Sequence, residues 1–277
     1  MIRLVFSDVD GTLLQNNEQG EYTISACTAE KIRQATASGI HFALATGRPV
    51  DFIPNLYGEQ FRFDTVAYSG ASVWACGKRI YQSSFSVEEA LAIQNAIKAK
   101  GVELLCITDR NEYCFANRIT EFIDEFENQV KFRDHRKIFE EDLSAFSESY
   151  PQQDFVSLVV LCNNDEELIR ASEKAAALGY DPVKVRNNGY SMMKPGINKA
   201  EGIRRVAQLY NVSLEEIAVL GDSMNDMEMF QLVQESYAME KSAPAILKCG
   251  KHKVRDVAEA LQQIMENNHA GSGFSKL

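Results

Sequence analysis

The stretch Phe6-Ser7-Asp8-Val9-Asp10-Gly11-Thr12-Leu13-Leu14 follows directly on the apolar run Ile2 to Phe6. Side chains alternate along an extended chain, so positions i and i+2 point the same way. Asp8 and Asp10 are therefore expected to share one face at the carboxyl end of a strand. Two carboxylates that close repel unless a cation or a proton lies between them. The arrangement points to Mg²⁺ and a nucleophilic carboxylate.

Outward from this stretch, apolar runs alternate with segments of helical period, as in a largely parallel sheet flanked by helices. The first strand, near 2–7, leads to a helix from about Ser25, a good capping residue, to Ser38. The strand His41 to Ala45 ends at Thr46-Gly47-Arg48-Pro49, the strand Thr65 to Tyr68 ends at Ser69-Gly70, and a hairpin turns at Gly77. From about Phe85 the rhythm changes to helix, two short strands, helix, then strand Phe155 to Cys162, helix Asp165 to Leu178 and strand Pro182 to Arg186. This middle section reads as a second α/β lobe inserted into the first. The original rhythm returns with helix Asn198 to Tyr210, strand Ile217 to Leu220 and a final helix of about Arg255 to Glu266, before a frayed tail from His269. The expected fold is a doubly wound, mostly parallel, Rossmann-like core over residues 1–82 and 189–277, with an inserted α/β cap domain over 83–188.

The 277 residues are 45% hydrophobic and 25% charged, which suits a globular chain with a sizeable core. With 29 Lys and Arg against 39 Asp and Glu, the net charge is −10. That balance argues against nucleic-acid or membrane surfaces, which need basic patches. An anionic ligand must be held locally, by a metal and a few placed cations. No apolar run approaches the length of a membrane span, and Met1-Ile2-Arg3 leads straight into a strand, so the protein reads as cytoplasmic. The six cysteines form no CxxC pair and no Cys/His metal spacing, and buried thiols are the expected reading.

In an open parallel sheet, ligands bind just outside the carboxyl ends of the strands. Asp8 and Asp10 follow the first strand, and Thr46 and Gly47 the second. Gly221-Asp222-Ser223-Met224-Asn225-Asp226 follows the strand Ile217 to Leu220, and Lys199 opens the helix after Pro195-Gly196-Ile197-Asn198. Residues far apart in sequence are thus expected to meet. Asp8 suits attack on phosphorus, and Asp10 suits proton transfer to the leaving oxygen and from the attacking water. Asp8 and Asp222 suit the hard oxygen coordination of Mg²⁺, with Asp226 as ligand or close support. Thr46, Gly47 and Lys199 supply donors for phosphoryl oxygens. Arg48 is balanced between touching substrate and bracing its loop. A solvated turn at a strand end, or a surface lysine, would account for any one motif alone; the order and placement of all four together argue otherwise.

Asp-x-Asp-Gly-Thr, a Thr after the second strand, an isolated Lys and Gly-Asp-x-x-Asn-Asp, in that order, resemble the haloacid dehalogenase-like phosphatases. The large insertion resembles the Cof-type subgroup. The resemblance runs from Ile2 to about Ile264. It implies Asp8 as nucleophile and Asp10 as general acid and base, with its backbone carbonyl also reaching Mg²⁺. It implies phosphate contacts from Thr46, Gly47, Lys199 and Asn225, and Asp222 as the distal metal ligand. It departs where many relatives have Asn-Gly-Ala and this chain has Ser69-Gly70-Ala71, and where Gly commonly follows the motif lysine but Ala200 stands here. The implied reaction is Mg²⁺-dependent hydrolysis of a small phosphomonoester through an aspartyl-phosphate on Asp8, sugar phosphates being the first expectation and FMN or pyridoxal phosphate the next. Alternatives are phosphoryl transfer to a sugar, as in mutases of the same superfamily, and a non-catalytic phosphometabolite-binding protein. Within the insertion, Arg110, Asn111, Tyr113, Arg118 and Arg186 are candidates for reading the leaving group. The sequence leaves the oligomeric state open.

Overall fold

The computed structural model describes residues 1–16, 22–50, 63–110, 112–130, 137–186 and 188–273. In chain order the first segment holds β1 (Leu4–Ser7), β2 (Gln15–Asn16), β3 (Tyr22–Thr23), α1 (Ala26–Ala37), β4 (His41–Ala45), β5 (Thr65–Ala67), β6 (Ser72–Ala75) and β7 (Lys78–Gln82). The middle segment holds β8 (Phe85–Ser86), α2 (Val87–Ile97), β9 (Val102–Thr108), β10 (Tyr113–Phe115), α3 (Thr120–Val130), α4 (Leu143–Ser149), β11 (Asp154–Cys162), α5 (Asp165–Ala177), β12 (Asp181–Arg186) and β13 (Gly189–Met193). The chain then returns through α6 (Lys199–Tyr210), β14 (Ile217–Gly221), α7 (Met227–Leu232), β15 (Glu235–Met239), α8 (Pro244–Cys249), β16 (His252–Val254) and α9 (Val257–Gly273).

Two compact units result: residues 1–81 with 198–277, and residues 82–197. The first is built on an eight-stranded sheet of order β16-β15-β14-β1-β4-β5-β6-β7. From β16 to β5 every neighbouring pair is parallel, and β6 turns back antiparallel on β5. Strand alternation gives this sheet two apolar faces, as a doubly wound architecture requires. Val5, Phe42, Leu44, Leu220 and Tyr237 pack on one side with Ile32 of α1 and Leu261 of α9. Leu4, Phe6, Ala43, Ala45 and Val219 pack on the other with Ile203 and Val206 of α6 and Phe230 of α7. The α/β class and the parallel core agree with the sequence reading.

The second unit is an antiparallel sheet of order β10-β9-β11-β13-β12, with β8 pairing β11. Leu104, Cys106, Leu158 and Val160 face Ile93 of α2, Phe146 of α4 and Ala171 of α5. Leu105, Phe115 and Leu161 face the opposite way with Phe122. The expected division at 188/189 fails here. It would cut the ladder in which Met192 pairs with both Leu158 and Pro182, and β13 belongs to this sheet. The boundary lies at Ile197/Asn198 instead. The final helix also differs, running on to Gly273 where a frayed tail was expected.

Cys106, Cys114 and Cys162 are buried, and Cys27, Cys76 and Cys249 are exposed, so the buried-thiol reading holds for half of them. Among the described residues no helix is long and apolar enough to cross a membrane.

Candidate active site

The clustered residues lie in the first unit, at the carboxyl ends of β1, β4, β5 and β14. The ladder carries Asp8 one step past β1, where its N–H donates to the Leu220 carbonyl at 2.9 Å. Extended geometry stops there. Leu13 N–H donates back to the Asp8 carbonyl at 3.3 Å and Leu14 N–H to that of Val9 at 2.8 Å, closing a compact turn. Asp8 and Asp10 therefore do not share one environment, contrary to the alternation argument. Asp8 is buried; Asp10 is exposed, and its carboxylate pairs with the Arg48 guanidinium through two nitrogens.

Lys199 is the centre of the buried cluster. Its ammonium donates to Asp8 Oδ1 and to Asp226 Oδ1, both at 2.6 Å, and all three side chains are at most 5% exposed. A cation at the first position of α6 opposes the helix dipole. The two carboxylates are what hold it there, and they push its pKa upward despite burial. The helix is also capped independently, Asn198 accepting from Glu201 N–H at 2.9 Å.

Asp226 organises the loop after β14. Its Oδ1 takes Lys199, while its Oδ2 accepts the N–H groups of Asp222 at 3.0 Å and Ser223 at 3.1 Å. Asp222 is oriented by Thr12, whose hydroxyl donates to Asp222 Oδ1 at 2.9 Å. Gly11, at φ +81°, permits that approach: a Cβ there would lie 2.5 Å from Asp222 Oδ2. Thr12 and Gly11 were read only as parts of a motif, and their positioning role is visible only in three dimensions. The available signal was a small hydroxyl beside a turn glycine.

Oxygens of Asp8, Asp222 and Asp226 lie within 4.8 Å of one another. Three carboxylates against one ammonium leave an excess of negative charge in a poorly solvated place. Burial pushes the Asp8 carboxyl from 3.8 up to about 8, with Lys199 pulling the other way and Asp226 and Asp222 reinforcing the rise. Asp222 is also raised, first by burial. Asp8 Oδ2 and Asp222 Oδ2 are engaged by no hydrogen bond among the described residues. Hard oxygen donors, unspent lone pairs and uncompensated charge fit a divalent cation such as Mg²⁺. The Asp10 carboxylate is not part of this cluster.

Thr46 is fully buried, and its hydroxyl accepts from Arg48 N–H at 3.1 Å, which leaves the hydroxyl proton to donate elsewhere. Gly47 sits in the same turn. Asn225 is half-buried beside Ser223, whose hydroxyl donates to Asn225 Oδ1 at 2.6 Å. In the second unit, Tyr113 is buried within β10 and Arg118 donates to the Phe139 carbonyl at 2.5 Å, while Arg110 is exposed. Asn111 and the side chain of Arg186 lie outside the described residues.

A doubly wound sheet whose strand ends gather two carboxylates, a third acid and a buried lysine has groups suited to a phosphoryl ligand. The chain belongs to the haloacid dehalogenase-like hydrolases, whose family profile matches residues 5–263. It is 25% identical over 261 residues to the 5-amino-6-(5-phospho-D-ribitylamino)uracil phosphatase YbjI of Escherichia coli, covering 91% of this chain and 90% of that one. It is likewise 25% identical to YitU of Bacillus subtilis, a phosphatase with the same substrate in its name, over 88% of each chain. Among solved structures, a haloacid dehalogenase-like hydrolase from B. subtilis superimposes with a TM-score of 0.79 at 18% identity, covering 94% of this chain and 99% of the other. The last comparison concerns the fold.

Proposed function

We propose that this hydrolase is a cytoplasmic, Mg²⁺-dependent phosphatase of small phosphomonoesters that works through an aspartyl-phosphate on Asp8. The observation that carries the reading is the Lys199 bridge between Asp8 and Asp226, beside a third carboxylate with an oxygen to spare. Asp8 and Asp222 would hold the cation, with Asp226 in reach, and the Asp10 carbonyl would be the remaining protein donor the resemblance implies. Mg²⁺ supplies positive charge that offsets the carboxylates, so that Asp8 is ionised at neutral pH and developing charge on phosphorus oxygens is stabilised.

The chain's own groups do the rest. Asp8 attacks phosphorus while Asp10 gives a proton to the departing oxygen; Asp10 then takes a proton from the water that attacks the acyl phosphate. Arg48 pairs with the Asp10 carboxylate and fixes its orientation. Lys199 spends two of its three N–H donors on carboxylates and has one left for a phosphoryl oxygen. Thr46 hydroxyl, Gly47 N–H and the Asn225 amide complete the cradle.

For the substrate, the sugar-phosphate expectation and the two 25%-identical relatives converge on one chemistry. A phosphorylated ribityl chain is a polyol monophosphate. We therefore place polyol and sugar monophosphates first, 5-amino-6-(5-phospho-D-ribitylamino)uracil among them. The test is phosphate release from a panel of such esters with Mg²⁺, with EDTA and with Asp8→Asn. The expected result is release that EDTA abolishes and that Asp8→Asn lowers by about 10³-fold or more. Metal-independent release, or an active Asp8→Asn protein, would sink the reading.

A further inference from the structure

Immediately after β5 the backbone does something costly. Tyr68, Ser69 and Gly70 are three consecutive residues at positive φ, +48°, +52° and +104°. Two of the three carry a Cβ and gain nothing locally from that conformation. The turn persists because it is held from both sides. Ser69 N–H donates to the Thr46 carbonyl at 2.9 Å and Tyr68 N–H to the Arg48 carbonyl at 3.1 Å, which stitches it to the Thr46-Gly47-Arg48 turn. On the other side, Gly70 lies so close to the residue before Lys199 that a Cβ would stand 2.1 Å from the Asn198 carbonyl oxygen. The strained turn is thus wedged between the two elements that carry the phosphate donors.

The side chain so displayed is a hydroxyl. A Cβ added to Gly47 would lie 3.5 Å from Ser69 Oγ, so that oxygen stands across from the Gly47 backbone. Ser69 is half-buried, and its Oγ is engaged by no hydrogen bond among the described residues. A donor in this position, held by a backbone that nothing local favours, has a ligand as its natural partner. We infer that Ser69 is a phosphate-binding residue, its hydroxyl donating to a non-bridging oxygen of the substrate's phosphoryl group beside Gly47 N–H. The assignment rests on the phosphatase reading for its substrate, but not for its test.

The test is calorimetric binding of inorganic phosphate to the Mg²⁺-loaded protein, alongside KM and kcat for two monophosphates with unlike leaving groups. Ser69→Ala keeps the backbone strain and removes only the hydroxyl; Ser69→Gly removes both. The two variants are expected to weaken phosphate binding equally, by about tenfold, one charge-assisted hydrogen bond. They should raise both KM values by the same factor, while Ser69→Gly alone alters the melting temperature. Unchanged phosphate affinity in Ser69→Ala would overturn the assignment. So would an Ala and Gly pair that diverge in affinity, since the conformation rather than the hydroxyl would then matter. A wild-type protein that binds phosphate but hydrolyses neither ester breaks the proposed function and leaves Ser69 judged by the binding data; a wild-type protein that binds no phosphate overturns Ser69.

Discussion

Each unit buries a carboxylate completely, and the two settle its charge in different ways. Glu103, on β9, accepts three backbone N–H groups, from Leu104 at 3.0 Å, Asn117 at 2.8 Å and Ile119 at 2.8 Å. Its pKa is nonetheless raised, because burial outweighs those donors. Asp226 likewise takes two backbone N–H groups but also a lysine, and it stands beside two further acids with oxygens left over. Glu103 spends its acceptors on pinning the chain after β10. The Asp226 cluster leaves charge and lone pairs unspent. Burial of an ionisable group is therefore a poor mark of function by itself, and unfilled coordination is a better one.

The comparison breaks most visibly at Lys199. Lys199→Ala takes the one cation out of a buried acid cluster, so it should cost about 3–5 kcal/mol of stability in metal-free protein. It should also lower kcat by about 10²–10³-fold with Mg²⁺ present. Chemical denaturation and single-turnover kinetics check both; a stable, fully active variant would remove the cluster from the mechanism.

A pH series sharpens the contrast. The folded Asp8 carboxyl titrates near 8 against an ordinary 3.8, so the native state keeps a proton that the unfolded chain has already lost. Its contribution is full below 3.8 and declines as pH rises toward 8. Metal-free wild type should lose stability relative to Asp8→Asn over that window, by at least about 2 kcal/mol. Saturating Mg²⁺ should flatten the difference, and a difference of opposite slope would refute the sign.

Glu103→Gln tests the other side. It replaces an acceptor-only group with one that also donates, facing backbone donors, at an expected cost of about 1–3 kcal/mol and no change in kcat. A catalytic loss in a folded Glu103→Gln protein would erase the distinction between the two units. The smallest effect belongs to Arg48→Ala. Its partner Asp10 is about half exposed, so stability should change by less than about 1 kcal/mol. Turnover should fall instead, kcat by about tenfold or less, because the Asp10 carboxylate loses the side chain that orients it.

Much of the site was legible because its parts mark local boundaries. Asp8, Thr46 and Asp222 each follow an apolar strand, and Lys199 follows a turn and a capping Asn. What pattern reading misplaced depended on contacts across the chain. The expected 188/189 boundary fails because Tyr190 and Met192 pair with β11, a partner some thirty residues earlier whose register no local signal carries. Asp8 and Asp10 looked equivalent until a turn, not a strand, was found to join them.

By itself, the sequence determined the alternation that makes a two-faced parallel sheet, the inserted second unit and the acids and lysine at strand ends, since period and punctuation are local properties of a chain. Only the tertiary structure decided which groups pair. Lys199 meets Asp8 and Asp226, Arg48 takes Asp10, Thr12 aims Asp222, and a strained turn sets Ser69 against Gly47. Electrostatics acts through distance in space, and distances between residues two hundred positions apart are fixed by packing rather than by pattern.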